Sequence, residues 1–362
     1  MLSALQKATR NAHIWLPGYL KTRVSRHSPP KRAWLAIADH YEPGWGHADW
    51  ETQQRRVRAW VESWPGIAEK HRDSQGNPAQ YTFFFPEDQY HPGLLDSLRP
   101  MVEQGIGDVE VHIHHGGEGE RVFVERMSGF LNHLENRHGM LRRYNGRRMF
   151  GFIHGNWALD NADPSGKFCG LNNEITLLRD MGCYADFTLP CPHTQSQAHM
   201  VNTIYWATDD PQRPKSHDRG IPVRPGEPPR GDLMIVPGPL GINWKESRRA
   251  WAPKIEVGEL AGNHGPSLHR ARLWLANAPR IGADVFIKLY AHGAPEKNAG
   301  PMLGGYLQGT FDCLSRVCAE SNVELHYVTT WQMWNAIEAL RKRQDAVAVA
   351  GSRPPESVLE GQ

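Results

Sequence analysis

The stretch "DVEVHIHH", residues 108–115, alternates with a period of two: Val109, Val111 and Ile113 fall on one side, and Glu110, His112 and His114 on the other. Successive side chains of a strand point to opposite faces, so this run reads as a strand with an apolar face against covering helices. Its other face carries two imidazoles at the C-terminal end. Three histidines, His112, His114 and His115, fall within four positions there; by phase His115 belongs to the opposite face.

Seven further short apolar runs share the strand character: "AWLAIAD" (33–39), "QYTFFFP" (80–86), "MFGFIHG" (149–155), "CYADFTL" (183–189), "LMIVPG" (233–238), "DVFIKLYAH" (284–292) and "ELHYVTT" (324–330). Between them the apolar spacing turns helical, over 50–70, 94–105, 118–138, 172–181, 266–278 and 306–321 and from 331 onward. Alternating strands and helices predict an α/β fold with a parallel sheet. Eight strands predict a distorted (β/α) barrel of seven or eight parallel strands, closed or nearly so. One catalytic domain is expected over 31–342. It is preceded by a basic amphipathic segment, 1–30, and followed by a disordered tail, 343–362. The Pro- and Arg-rich stretch 206–232 reads as a long loop over the active face or a small excursion.

Lys plus Arg total 41 against 39 Asp plus Glu, a formal charge of +2, and the basic residues are spread rather than clustered with aromatics. No nucleic-acid partner is expected. Five cysteines without a CxxC pair read as reduced thiols. No run approaches the roughly 20 apolar residues of a membrane span and the N-terminus lacks a signal peptide's apolar core, so a cytoplasmic protein is expected. The N-terminal segment mixes Leu2, Leu5, Ile14, Trp15, Leu16 and Leu20 with Lys7, Arg10, Lys21, Arg23 and Arg26. It is expected to pack under the barrel, with peripheral contact to an anionic membrane as the alternative.

The strand ends carry the chemistry. Imidazoles at i and i+2 stand about 7 Å apart at the backbone and can converge on one ion at about 2.0–2.1 Å. With a carboxylate and a water, His112 and His114 would form an open, catalytic type of zinc site; the alternative is a pair of hydrogen-bonded histidines. Other strand ends add Asp39 and His40, then Glu42 and Pro43 in a turn; His154, Asn156, Trp157 and Asp160; and His292.

The order of these elements over residues 30–340 resembles the polysaccharide deacetylase family with the NodB-homology domain. "ADHYEP" stands where that family has an Asp-Asp motif, "EVHIHHGGE" at its histidine motif, "GFIHGNW" at its groove wall and "IKLYAHG" at its late strand. The resemblance implies Asp39 as general base, a divalent metal on His40, His112 and His114, and His292 as the acid that protonates a leaving amine. The metal would be zinc, with cobalt, nickel, manganese or iron as alternatives. His154, Asn156, Trp157 and Asp160 would bind a carbohydrate, Trp157 with Trp45 and Trp244 offering flat surfaces to a sugar ring. The implied activity is removal of an acetyl group from an N-acetylated sugar of a polysaccharide or its lipid-linked precursor. The chain departs from the family in three places: His40 replaces the second Asp, His-x-x-x-His appears only as His114-x-x-x-Glu118, and no Arg-Pro-x-Tyr motif is present. Asp39 in place of His40 as ligand stays open. So do a metal-free glycoside hydrolase using Asp39 and Asp160, and a carbohydrate-binding or assembly protein without turnover.

Overall fold

The computed structural model describes residues 11–25, 28–246 and 253–351. Leu2, Leu5, Lys7, Arg10 and Arg26 of the N-terminal segment, and the tail from 352, lie outside the described residues.

All eight sequence-predicted strands form and all lie in parallel ladders. In chain order the strands are β1 (Arg32–His40), β2 (Tyr81–Pro86), β3 (Gly107–Ile113), β4 (Arg142–Tyr144), β5 (Arg147–His154), β6 (Cys183–Asp186), β7 (Tyr205–Ala207), β8 (Ile221–Pro222), β9 (Leu233–Ile235), β10 (Gly241–Asn243), β11 (Lys254–Glu256), β12 (Glu259–Leu260), β13 (Arg280–Ile281), β14 (Asp284–Ala291) and β15 (Glu324–Tyr327). The helices are α1 (Ala12–Val24), α2 (Trp50–Lys70), α3 (Pro92–Glu103), α4 (Glu120–Asn132), α5 (Glu174–Met181), α6 (Leu268–Asn277), α7 (Glu296–Pro301), α8 (Leu307–Glu320), α9 (Thr330–Arg341) and α10 (Ala346–Gly351).

The large sheet runs β12-β14-β1-β2-β3-β5-β6-β9-β7-β8, and among the described residues no ladder closes it. The physical reason lies in the stretch 206–232, which is a small excursion rather than a loop. It folds as β7 and β8, and β7 pairs antiparallel with β9, occupying the edge that a closing strand would need. The sheet nevertheless curls. Lys288 of β14 donates to the carbonyls of Phe187 and Leu189, just past β6, at 2.7 Å each. In a flat sheet five strand steps would separate them by about 24 Å.

Alternation sorts the two faces as β3 predicts. Val109, Val111 and Ile113 pack outward with Phe123, Met127 and Leu131 of α4, all fully buried. Glu110 points inward, where it accepts from Tyr184 Oη at 2.6 Å and Gly151 N at 2.5 Å and pairs with Arg142. The inner face is filled by Ala36, Ala38, Phe84 and Ile153, with Trp331 and Trp334 of α9 against them.

One expectation at the C-terminus is revised. Residues 346–351 form α10 instead of belonging to a disordered tail, because Ala346 and Ala350, four apart on one helical face, are buried against the inner core. At the other end α1 is anchored by Trp15, which packs with Val201, Leu240 and Ile255. Among the described residues no helix is long and apolar enough to cross a membrane.

Candidate metal centre

Three neighbouring strand ends build the site. β1 ends at His40, and Tyr41 N still bonds Phe84 O of β2 at 3.0 Å, so strand phase carries on to Glu42. β3 delivers His112 and, just past its end, His114. The 3-10 turn 87–89 after β2 brings Asp88 alongside. Gly155 leaves room for the His114 ring, since a Cβ there would lie 2.4 Å from its Cδ2.

Glu42 Oε1 stands 3.4 Å from His112 Nε2 and 2.9 Å from His114 Nε2. Tetrahedral ligands at about 2.0–2.2 Å from an ion are themselves about 3.4 Å apart, so the three atoms occupy nearly the edges of such a polyhedron. His114 Nδ1 faces Asp88 Oδ1 at 2.9 Å; the proton held there leaves Nε2 free to ligate, the orientation that carboxylate partners impose on metal-bound imidazoles. His112 and Glu42 are buried, while the His114 side chain keeps 28 % of its surface exposed, leaving an approach for a water or substrate.

The electrostatics fit a cation. Burial alone would raise the Glu42 carboxyl, but His112 and His114 hold it at about 2. Burial opposes the charge on His114, yet Asp88 and Glu42 push it up to about 9. Without metal, the cationic imidazolium of His114 serves the two carboxylates that flank it. Several buried atoms keep unused capacity: Glu42 Oε2, His112 Nδ1 and both ring nitrogens of His40 have no hydrogen-bond partner. A neutral imidazole always carries one N–H, and leaving it unmet costs about 1–3 kcal/mol. The donor set, with Glu42 Oε2 unengaged, fits a divalent metal.

The cluster that could hold a metal brings Glu42, rather than His40, together with His112 and His114. His40 lies a ring away, stacked between Trp157 (centroids 4.6 Å, 27°) and His292 (4.7 Å, 28°) and 4.9 Å from His112. Burial and the neighbouring histidines hold its pKa well below the usual value. Asp39 is not placed as a general base. It shares the phase of Leu35 and Ile37, which pack outward, and its carboxylate is taken by Gly293 N (2.7 Å) and Tyr81 Oη (3.0 Å). A Cβ at Gly293 would lie 2.4 Å from Asp39 Oδ2. Asp39 therefore pins the end of β1 to the end of β14, beside His292.

His292 stacks on His40 beside the cluster and, with Trp45, Glu259, Asn263, Lys297 and Asn298, lines a neighbouring cleft of about 350 Å³. Burial pushes its pKa down to about 4, so at neutral pH it is a base, not the ready acid expected. The Lys297 ammonium lies 5.3 Å over the Trp45 ring, which is 44 % exposed. Trp157 also belongs here, held at φ 60°, a strained conformation for a bulky residue.

His154 and Asp160 do not line the cleft. His154 shares the outward phase of Phe150 and Phe152 and joins His115, Cys169 and Glu174 in a buried cluster of four ligand-type side chains. There Glu174 accepts from His115 Nε2 (2.9 Å), Asp160 N (2.6 Å) and Cys169 Sγ (3.4 Å). His154 Nδ1 accepts from Asn156 N and Ala158 N at 3.2 and 3.4 Å. The proton of neutral His154 is thereby placed on Nε2, the nitrogen facing Glu174, and no lone pair remains there for a metal. Asp160 Oδ2 accepts from Ser216 N at 2.5 Å. Asn156 ties its loop to the His115 and Phe168 carbonyls. A third cluster, Glu246, Glu256 and His264, already holds cations: Arg270 and Trp274 saturate Glu256, and Lys254 bonds His264.

Sequence reading named Glu42 at the end of β1 without giving it a role, and missed Asp88, Asn263 and Lys297. Glu42 had a signal, since it stands at i+2 from His40 on the inward phase. Asp88 follows a strand end with no periodicity of its own. The chain matches no protein-family model and no curated protein sequence.

Proposed function

We propose that the protein is a metal-dependent hydrolase that removes an acyl group from an N-acylated sugar. The observation that carries this reading is the convergence of Glu42 Oε1, His112 Nε2 and His114 Nε2, with His114 Nδ1 held by Asp88. A divalent ion on those three atoms, zinc by preference for this N/O set, would polarise the acyl carbonyl and acidify a water. His292, neutral at pH 7, takes the proton of the attacking water and returns it to the departing amine. Trp45 offers an aromatic face to the sugar, and Asn263 supplies an amide that reads hydroxyls along the same wall, while Asn298 ties that wall to the His292 carbonyl and Gly262 N. His40, Trp157 and His292 form a stack that keeps the basic imidazole in place. A lipid-linked precursor as the substrate's source belongs to the same proposal.

Hydrolysis by Asp39 and Asp160 is not favoured, because each carboxylate is engaged in hydrogen bonds away from the cleft. The test is release of acetate from N-acetylated oligosaccharides by zinc-loaded protein, beside Glu42→Ala and His292→Ala. Both variants should lose at least about a hundredfold in rate, the scale of removing a catalytic base, Glu42→Ala together with its metal and His292→Ala with metal retained. Tight sugar binding without product would favour a binding protein instead.

A further inference from the structure

Away from the metal centre a second groove, of about 830 Å³, opens between the two margins of the unclosed sheet, with β8 on one side and β13 on the other. α1 lies along it. Five cations from three elements line it: Lys21 and Arg23 of α1, Arg219 and Arg224 flanking β8, and Arg280 of β13. No described carboxylate lines it, although the chain as a whole is nearly balanced in charge. This is a local concentration of positive charge, not a reflection of composition.

The cations are poorly neutralised. Arg280 is half-buried, and among the described residues its guanidinium reaches the Ser28 and Leu275 carbonyls, at 3.5 and 3.4 Å. Burial and the nearby charge of Arg23 push its pKa down. Arg219 and Arg224 come no nearer than 4.0 and 3.8 Å to Asp218 and Glu227, and Asp218 is chiefly engaged by His199 at 2.7 Å. Forked guanidiniums on facing walls suit the oxygens of phosphate.

We propose that this groove is a binding site for a phosphate-bearing ligand, held by the guanidiniums of Arg23, Arg219, Arg224 and Arg280 that line its walls. It is separate from the cleft at His292. β14, eight residues long, runs from the groove margin toward that histidine, a separation of roughly 25 Å.

Two probes test it on the full chain: inorganic pyrophosphate by calorimetry, and co-sedimentation with vesicles of phosphatidylcholine alone or mixed with phosphatidylglycerol. Pyrophosphate should bind, more weakly as salt rises, and the anionic vesicles should carry the protein down while neutral ones do not. Arg23→Ala/Arg280→Ala should weaken pyrophosphate binding roughly tenfold or more. Because Arg280 also touches backbone, Lys21→Ala/Arg224→Ala, confined to exposed side chains, should weaken it in the same direction. Zinc content should be unchanged in both. Binding to pyrophosphate without vesicles assigns the groove to a soluble phosphate ligand. Binding to neither probe, or binding unaffected by both variants, would overturn the proposal.

Discussion

His112 and His114 lie within three residues of His115, yet they belong to two clusters on opposite faces of one sheet. The inner cluster has three ligand atoms and the outer has four. In the inner one, a carboxylate behind His114 holds the Nδ1 proton, and Nε2 of both histidines faces Glu42, where a divalent ion would take the place of a proton. In the outer one, backbone N–H groups take the acceptor side of His154, and Glu174 is already met by three donors. The number of ligating side chains does not distinguish the two; the position of each proton does.

The largest expected contrast comes from removing the central carboxylate of each cluster. Glu42→Ala should abolish zinc binding, read as metal per chain after dialysis. Glu174→Ala should keep the metal and cost about 3 kcal/mol in a denaturant titration, since it strands three buried donors. Metal lost in Glu174→Ala and retained in Glu42→Ala would invert the assignment.

Asp88→Asn sharpens the role of the carboxylate behind His114. Zinc affinity should drop about 10- to 100-fold, the usual cost of removing such a partner, and a competition titration with a chromophoric chelator reads it directly. An unchanged affinity would mean that Asp88 pairs with a cationic His114 and does not orient it.

The smallest effect concerns the loop over the outer cluster. Burial raises the Asp160 carboxyl to about 8 from an ordinary value near 3.8. A group raised in the folded state contributes stability that is full below its unfolded pKa, so this contribution is present below about pH 4 and lost as pH rises toward 8. Asp160→Asn should remove that slope and raise the stability at pH 8 more than at pH 5. Melting curves at pH 5 and pH 8 check it; a parent protein no less stable relative to Asp160→Asn at pH 8 than at pH 5 would refute it.

Much of the fold was legible because strand phase and helix period are written locally: every expected strand stands where its apolar run lies. Closure was not legible. It hangs on whether the three residues of β9 meet β14 or β7, a choice made by the packing of the 206–232 excursion. For the site, the two-residue period that sends His112 inward in β3 also sends Asp39 outward in β1 and His154 outward in β5. A family motif aligned by position carries no phase, which is why it brought Asp39 and His154 into the cleft and left out Glu42. Tautomers and the engagement of Asp88 required the turns in three dimensions.

X-ray absorption at the zinc edge of the stoichiometrically loaded protein tests the central assignment most directly. Glu42, His112 and His114 as ligands give a single shell of nitrogen and oxygen at about 2.0–2.2 Å. A sulfur scatterer at about 2.3 Å would place the ion on Cys169 in the outer cluster and contradict it.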